Sequence, residues 1–355
     1  VQPTERVERH RQRYIDRKLV YSIDRDRIEV RVMKETEGEP MITRKAKLFQ
    51  TIVRELPIDI FPDELLVGWY DPIPNNCPLP VRSDPSLEEY LDVISTRERN
   101  PVLVTSEQMR ELKEEIIPYW KGRTVFETNY NLLPKETRQI LYQKDDPYTP
   151  SYVIIDSTTD RSSQQWVPDY AKVLNHGFNG IRRIAEERIK VLDPFDPDNN
   201  FEKLPFLEAV VIVCRAMVAF ANRYADLARK LAAKEVSEKR KKELLEIAAI
   251  CEKVPGEPAI TFREAVQSQW FTQVGFRFEQ MHGGTVGNGR IDQYLYPYYQ
   301  KDIAAGRITD DDVLELLELL WLNMAQNVTL QQSGAIFHNE GIPHFEATTI
   351  GGQTT

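Results

Sequence analysis

Arg161 and Gln165, four residues apart, form the pair of side chains in this sequence best suited to holding an anion. If their segment turns helically, residues at this spacing share one face. A guanidinium presents a planar fork of donors that fits an oxyanion, and a carboxamide adds a further donor. The pair is predicted to bind a carboxylate or sulfonate and to disfavour a quaternary ammonium. The alternative is that Arg161 pairs with Asp156 or Asp160 at the surface, where such pairs contribute about 0–1 kcal/mol.

His282 is a second candidate for contact with a bound molecule, because an imidazole can donate a hydrogen bond. It is followed by Gly283 and Gly284, with Gly287 further along, so the loop offers few side chains and leaves room for a bulky group. The alternative is a histidine that only makes hydrogen bonds within its own loop.

The sequence has three cysteines, Cys77, Cys214 and Cys251, at wide spacings and without a Cys-x-x-Cys pair. This usage favours a reducing compartment, and we expect a cytoplasmic protein. Cys77 is predicted in a loop and the other two on helices, each as a packing residue rather than a nucleophile. His338 and His344 have no cysteine or paired carboxylates at ligand spacing, so no bound metal is predicted.

The net charge of -9 arises from 46 Lys and Arg against 55 Asp and Glu, and no basic run is present at either end. This balance argues against nucleic acid and against an anionic membrane surface as partners. The longest apolar stretch, residues 206–220, contains Glu208 and Arg215 and is predicted to be too short and too charged to span a bilayer.

Helical patterning dominates the 355 residues, and no linker or repeat divides them. Helix-start signals lie at Ser86, Ser106, Thr261 and Thr309, where a capping oxygen precedes acidic residues. Short apolar runs predict strands in two places. The predicted helices cover residues 5–23, 43–56 and 168–191 and two arms within 204–254, and the predicted strands cover 65–70 and 152–155.

Five segments carry unusual residue combinations in a fixed order. The richest is Gly289–Tyr299, in which Arg290, Asp292 and Gln293 precede four tyrosines. The others contain Pro-Asp-Tyr with Gly-x-x-Gly-Ile, Pro-Ala-Ile-Thr-Phe-Arg-Glu-Ala, Trp-x-Gly-Arg-Thr, and a helix-proline-apolar run, at 168–181, 258–271, 119–124 and 55–69. Together they resemble the glycyl radical enzymes, the pyruvate formate-lyase superfamily, and within it the branch of dehydratases and lyases.

The resemblance implies an α/β fold: a ten-stranded α/β barrel surrounded by helices. It also implies that residues 1–355 are the amino-terminal part of a single pyruvate formate-lyase-like domain. That part would carry the helix-rich layer and about half of the strands, and the carboxyl-terminal glycyl radical domain is absent from this sequence.

In the resembled family, a backbone glycyl radical oxidises a cysteine, and the thiyl radical removes hydrogen from a substrate carbon before an adjacent group leaves. The cysteine lies in a Gly-Cys-x-Glu element and the glycine in an Arg-Val-x-Gly element, and neither occurs here. No catalytic residue is therefore assigned within this sequence. The implied cofactor is a glycyl radical on a glycine outside it. The implied partners are a radical S-adenosylmethionine activating enzyme, a small substrate and a second subunit, with oxygen excluded.

The resemblance also places the candidate residues around a pocket. Arg161 followed by Gln165 at this position is similar to the isethionate sulfite-lyase group, and Phe345 matches the position of an aromatic wall that is usually Trp in that group. The expected activity is C–S cleavage of a hydroxyalkanesulfonate such as isethionate, with release of sulfite. Phe345 has an alternative role as an ordinary core residue.

Other activities of the family stay open: dehydration of a diol or of hydroxyproline, choline C–N cleavage, and arylacetate decarboxylation. A hypothesis of another class is a non-catalytic scaffold, or a split subunit whose partner carries the missing elements. The gene sequence past Thr355 separates these classes, because an enzyme requires both missing elements there.

Overall fold

A computed structural model describes residues 2–69, 76–80, 88–98, 101–142, 165–279, 285–325 and 348–352; for 76–80, 88–90, 125, 126, 129, 165, 279 and 285 only the backbone is described. Two π-helical turns, Leu112–Ile116 and Asn199–Lys203, lead into helices. The elements in chain order are α1 (Glu5–Asp16), β1 (Lys18–Ser22), α2 (Asp24–Glu35), α3 (Met41–Glu55), β2 (Asn76–Pro80), α4 (Glu88–Ile94), β3 (Val102–Leu103), α5 (Ser106–Glu111), α6 (Ile117–Trp120), α7 (Val125–Leu132), α8 (Lys135–Leu141), β4 (Gln165–Trp166), α9 (Tyr170–Lys190), α10 (Leu204–Ala232), α11 (Glu238–Lys253), α12 (Phe262–Glu279), β5 (Thr285–Val286), α13 (Ile291–Ala304) and α14 (Asp310–Ala325).

The main hydrophobic core forms where α10 packs against α3, α9 and α11, with α12 beside it. Apolar residues of α10 recur every three or four positions, which places them on one face of the helix. At the centre, the ring of Phe220 lies 5.7 Å from that of Phe271 and 5.5 Å from that of Phe278. The predicted helices at 43–56, 168–191 and within 204–254 are confirmed by α3, α9, α10 and α11.

Two predicted helix starts are confirmed in atomic detail. Thr261 Oγ1 accepts a hydrogen bond from the backbone of Glu264, whose carboxylate accepts one from Thr261 N. Thr309 and Asp312 make the same reciprocal pair at α14. Each pair satisfies amides that would otherwise lack partners in the first helical turn.

The central helix is longer than the sequence indicated. In the part of the chain that the structure describes, one helix, Asn199–Ala232, is long and apolar enough to cross a membrane by length and composition, a property that core helices share. The prediction that this segment is too short to span was therefore wrong. Phe220, Tyr224 and Ala228 of this helix are almost completely buried in the hydrophobic core.

The first sheet is parallel, with strand order β2-β1-β3. Its central strand corrects the prediction of one helix over residues 5–23, because α1 ends at Asp16 and the extended backbone of Arg17 leads into β1. The sequence Lys-Leu-Val-Tyr-Ser is rich in residues that favour strands. Cys77 is also corrected, since it lies in β2 opposite Leu19 rather than in a loop.

Residues 65–69, predicted as part of a strand, have irregular backbone, and residue 70 lies outside the described residues. A side chain of α12 replaces the missing strand partner: Gln267 accepts from Val67 N at 3.0 Å and donates to Val67 O at 2.6 Å. Trp69 N donates to the Tyr224 hydroxyl at 3.0 Å. A buried backbone needs partners, and here side chains supply them.

The second sheet contains the two-residue strands β4 and β5, paired in parallel. The helix-rich α/β character predicted from the resemblance is confirmed for the described residues. The ten-stranded barrel stays a prediction. The predicted strand at 152–155 lies outside the described residues.

Candidate functional site

Three chain segments that are far apart in sequence run side by side in the same direction. Gln165 pairs with Thr285 and Trp166 with Val286, and Gly287 N donates to Trp166 O at 2.7 Å. On the other side of the middle segment, Gly289 pairs in parallel with Thr348. We call residues 165–167, 285–289 and 348–352 the first, second and third segments.

Each predicted site residue belongs to the sequence at the amino-terminal end of one of these segments. Arg161 precedes Gln165 by four residues, His282 precedes Thr285 by three, and Phe345 precedes Thr348 by three. Arg161, His282 and Phe345 lie outside the described residues, and only the backbone of Gln165 is described. The structure places Gln165 opposite Thr285, and it places Thr348 opposite Gly289, four residues further along the second segment. The positions and roles of the Arg161, His282 and Phe345 side chains stay predictions.

The sequence Gly-Arg-Ile-Asp-Gln, residues 289–293, forms hydrogen bonds with the third segment. Gly289 O accepts from Thr349 N at 3.0 Å, and Asp292 Oδ2 accepts from Gly351 N at 3.0 Å. Hydrogen bonds from Gln293 and then from Gly351 lower the pKa of Asp292, which keeps it an anionic acceptor.

Gly289 also allows the first two segments to approach closely. Its φ is +57°, and a Cβ built there would lie 2.7 Å from Cγ1 of Val167. A side chain at this position would thus meet both an unfavourable backbone conformation and a clash.

A set of buried side-chain amides joins α12 to the second and third segments. Asn288 Oδ1 accepts from Gln269 Nε2 at 3.0 Å, and Asn288 Nδ2 donates to Thr348 Oγ1 at 2.8 Å. Gln269 Nε2 also donates to Gln273 Oε1 at 3.0 Å, and Gln273 Nε2 donates to Val286 O at 3.4 Å. Gln269, Gln273 and Asn288 are all at most 1% exposed, so these bonds form in a medium of low polarity.

Two tyrosines hold the backbone of the second segment from the other side. The Tyr170 hydroxyl donates to Gly287 O at 3.2 Å and the Tyr294 hydroxyl donates to Asn288 O at 3.0 Å, with ring centroids 5.3 Å apart. Burial, and then the neighbouring Tyr294, raise the pKa of Tyr170 well above its usual value. Burial likewise raises the pKa of Tyr294. Both hydroxyls therefore remain protonated donors at neutral pH.

The described thiols have no nucleophilic character. Burial raises the pKa of Cys214 to about 12 and also raises the pKa of Cys251, so both stay protonated. Their predicted role as packing residues is consistent with this, and the side chain of Cys77 lies outside the description. Within the described ranges, no group of three His, Cys, Asp or Glu side chains is placed to hold a metal ion.

Sequence reasoning did not single out the amide set. Its signal is present in α12, where residues 265–275 are all buried. These buried residues include Gln267, Ser268, Gln269, Thr272 and Gln273 as well as two large apolar residues. Polar residues on every face of a buried helix must find hydrogen-bond partners, and this requirement would have pointed to the loop containing Asn288.

Comparison with known proteins identifies the family to which the chain belongs. The family model for pyruvate formate lyase-like proteins matches residues 3–355. The chain is 43% identical over 340 residues to the isethionate sulfite-lyase of Oleidesulfovibrio alaskensis, covering 94% of this chain and 40% of the relative. It is 44% identical over 335 residues to the isethionate sulfite-lyase of Nitratidesulfovibrio vulgaris, again covering 94% of this chain and 40% of the relative. The chain thus spans 40% of the length of these relatives.

A solved structure of similar fold supports the same family assignment. The glycerol-bound B12-independent glycerol dehydratase from Clostridium butyricum superposes with a TM-score of 0.89 at 30% identity, over 100% of this chain and 44% of that protein. Likeness in sequence over nearly the whole chain, together with likeness in fold, shows that the chain belongs to the pyruvate formate-lyase-like family of glycyl radical enzymes.

Proposed function

We propose that the complete protein is a glycyl radical lyase that cleaves the C–S bond of isethionate or a close hydroxyalkanesulfonate. The observation that carries this proposal is the identity of 43% and 44% to two isethionate sulfite-lyases, compared with 30% to the glycerol dehydratase of similar fold. A substrate preference is set by side chains rather than by the fold. The stronger sequence likeness therefore favours the sulfonate over a diol.

The contribution of this chain is the anion-binding side of the pocket. Arg161 and Gln165 hold the sulfonate, Phe345 packs against the carbon chain, and His282 is a further donor. A guanidinium fits a sulfonate through paired hydrogen bonds, and it continues to stabilise the negative charge when sulfite leaves. The parallel pairing of the first, second and third segments supports this proposal, because it joins in one backbone array the chain segments that follow Arg161, His282 and Phe345 in sequence.

In the proposed reaction, a hydrogen atom is removed from the hydroxyl-bearing carbon, the hydroxyl proton is lost, the C–S bond breaks, and the hydrogen atom is returned to the carbon that carried the sulfonate. The net products are sulfite and the corresponding aldehyde, so no external oxidant or reductant is consumed. The family implies a glycyl radical for the hydrogen abstraction. The Cys, Glu and Gly elements that perform it lie outside residues 1–355. An activating enzyme of the radical S-adenosylmethionine type, a homodimer and a cytoplasmic location are parts of the same proposal.

The substitution Arg161→Ala in the protein encoded by the complete gene tests the anion clamp. After anaerobic activation, sulfite release from isethionate is expected to fall by at least about 100-fold in kcat/KM, since a charged bidentate contact is lost. Radical content measured by electron paramagnetic resonance should equal that of the wild type, which shows that the variant is folded and activated.

Arg183→Ala is the matched control, because Arg183 is an exposed arginine on α9. It should leave kcat/KM within about twofold of the wild type, as expected for an exposed surface residue. Sulfite release by Arg161→Ala at the wild-type rate would remove Arg161 from the pocket and with it the main support for a sulfonate substrate.

A further inference from the structure

Backbone pairing joins the three segments in parallel. Within the described ranges, β4 and β5 pair over two residues, and the third segment pairs with the second at Gly289 and Thr348. In longer sheets, register is enforced by many ladder bonds and by the burial of one face. A slip by one residue would reverse the faces on which the side chains lie, including those at the amino-terminal ends of the segments.

Buried side-chain amides add hydrogen bonds to this backbone pairing. Asn288, which is 0% exposed, bonds Gln269 on α12 through its carbonyl oxygen and Thr348 on the third segment through its amide nitrogen. Gln273 reaches the backbone of Val286 from the same helix. The path Val286–Gln273–Gln269–Asn288–Thr348 therefore connects the rigid helix α12 with two of the three segments.

Stability alone does not explain these residue types. Burying an amide costs free energy unless it is paired, and apolar side chains of similar volume would fill the space without that requirement. Hydrogen-bonded amides restrict the arrangement of their partners more than apolar residues do. Asn288 is bonded through both its oxygen and its nitrogen, and the nitrogen also donates to Met324 Sδ at 3.0 Å.

We propose that Asn288, held by Gln269 and bonded to Thr348, is a positioning residue that fixes the register of the second and third segments and thereby the substrate pocket. The inference rests on the proposed function, because it assigns Asn288 an effect on binding of the sulfonate. Asn288 acts through the segments that follow His282 and Phe345 and is not assigned any contact with substrate.

Thr348 allows a nearly isosteric test of this role. Thr348→Val removes the hydroxyl oxygen that accepts from Asn288 Nδ2 while keeping the shape of the side chain, and Thr348→Ser keeps the hydroxyl. Amide hydrogen exchange of unactivated full-length protein is measured for peptides covering 285–289 and 348–352. In Thr348→Val, exchange in both peptides should rise by about tenfold, and in Thr348→Ser it should stay within about threefold of the wild type.

The kinetic arm uses the activated enzyme, with rates divided by radical content. Thr348→Val is expected to raise the KM for isethionate by about tenfold and to lower kcat by less than about threefold, because misplaced binding groups weaken substrate binding. A merely structural defect would instead reduce the amount of active enzyme and leave KM unchanged. Thr348→Ser should restore the wild-type KM.

Thr272→Val is the control, since Thr272 is a buried threonine of α12 whose hydroxyl donates to Ser268 O within the helix. It should change neither the exchange of the two peptides nor KM. Unchanged exchange in Thr348→Val, or faster exchange with an unchanged KM, would overturn the positioning role. If the wild type releases no sulfite from isethionate, the proposed function fails instead, and the exchange measurement still decides whether Asn288 sets the register.

Discussion

His10 is an uncharged imidazole inside the protein, because burial and then the nearby Arg13 guanidinium lower its pKa to about 3. The residue is 1% exposed, and Arg13 Nη2 lies 3.1 Å from His10 Nδ1. A guanidinium can only donate, so this ring nitrogen must accept and cannot carry a proton. A protonated His10 would lose this bond and place a second positive charge beside Arg13.

The depressed pKa of His10 predicts a pH-dependent stability. Between pH 6.5 and 3 the unfolded chain binds a proton that the folded protein does not, so stability falls as the pH decreases through this range. From pH 7 to pH 5 the wild type should lose about 2 kcal/mol more than His10→Asn, measured by urea titration at both values. His176→Asn, at an exposed position, should show the wild-type slope. Equal slopes for the wild type and His10→Asn would contradict a neutral buried imidazole.

Local sequence suggests roles for some residues and not for others. Arg161 and Gln165 are proposed as anion-binding residues because their donor geometry fits an anion, and this role stays a prediction. The partnership of Gln269 with Asn288 was not found, because it joins a helix to a loop 19 residues away and depends on how the helix is buried. The donor chemistry of a single side chain can be read from the sequence, whereas hydrogen bonds across tertiary contacts require the packing to be known.

At the scale of elements, helix α9 is interrupted to accommodate the loop that follows α11. Gly177 has a φ of +62°, and the amides after it leave the helical pattern: Phe178 N donates to Pro255 O at 2.8 Å and Asn179 N to Gly256 O at 2.9 Å. The Gly-x-x-Gly-Ile motif therefore marks the contact between α9 and the loop that follows α11 as well as a family resemblance.

Gly177→Ala is expected to destabilise the protein by about 3 kcal/mol or more, since the new Cβ would lie 2.2 Å from Gly256 O in addition to the unfavourable φ. Gly38→Ala separates the two effects. Gly38 has a φ of +89° with nothing within 4 Å of the position that an added methyl group would occupy, so it should lose only about 1 kcal/mol. Chemical denaturation compares the free energy of unfolding of the two variants. Similar decreases in both would show that the close contact at Gly177 contributes nothing to the destabilisation.

The helices were predictable because amphipathic spacing and capping residues are local signals, as at α3 and at the Thr261 start of α12. The strands were less predictable from the sequence. The strand β1 pairs with residues more than fifty positions away, and its five residues lie directly between two charged helices. The run at 65–69 has the composition of a strand, yet Gln267 takes the place of a strand partner. Which partner satisfies an extended backbone is decided by tertiary structure.

At the scale of the whole molecule, Glu243 on α11 ties distant parts of the chain together. Its carboxylate pairs with Arg6 of α1 and, at 3.0 Å, with Arg240 of its own helix, and Arg240 also donates to the carbonyl oxygens of Glu64 and Phe61. Burial opposes ionisation of Glu243, but Arg240 and Arg6 together lower its pKa. All three charged side chains are at most 15% exposed, so solvent screens them weakly.

Glu243→Gln should therefore destabilise the protein by about 2 kcal/mol at pH 7, because two guanidinium groups lose their shared carboxylate. A lowered pKa contributes stability above the unfolded value and loses it as the pH falls, so the deficit should shrink in urea titrations near pH 4. Glu238→Gln provides the matched comparison on the same helix, where the carboxylate is 88% exposed; it should change stability by less than about 0.5 kcal/mol. A deficit that persists unchanged at low pH would contradict an electrostatic origin.

The central claim is that the complete protein acts on a small sulfonate through the pocket whose support this chain provides. The most direct measurement is turnover by the activated full-length enzyme on isethionate, dihydroxypropanesulfonate, 1,2-propanediol, glycerol, choline and trans-4-hydroxyproline, with sulfite and carbonyl products quantified. We predict sulfite release from isethionate with a kcat/KM at least about 100-fold above that for any neutral or cationic substrate, because those leave the Arg161 guanidinium unpaired. Efficient dehydration of a diol without sulfite release from either sulfonate would contradict the account.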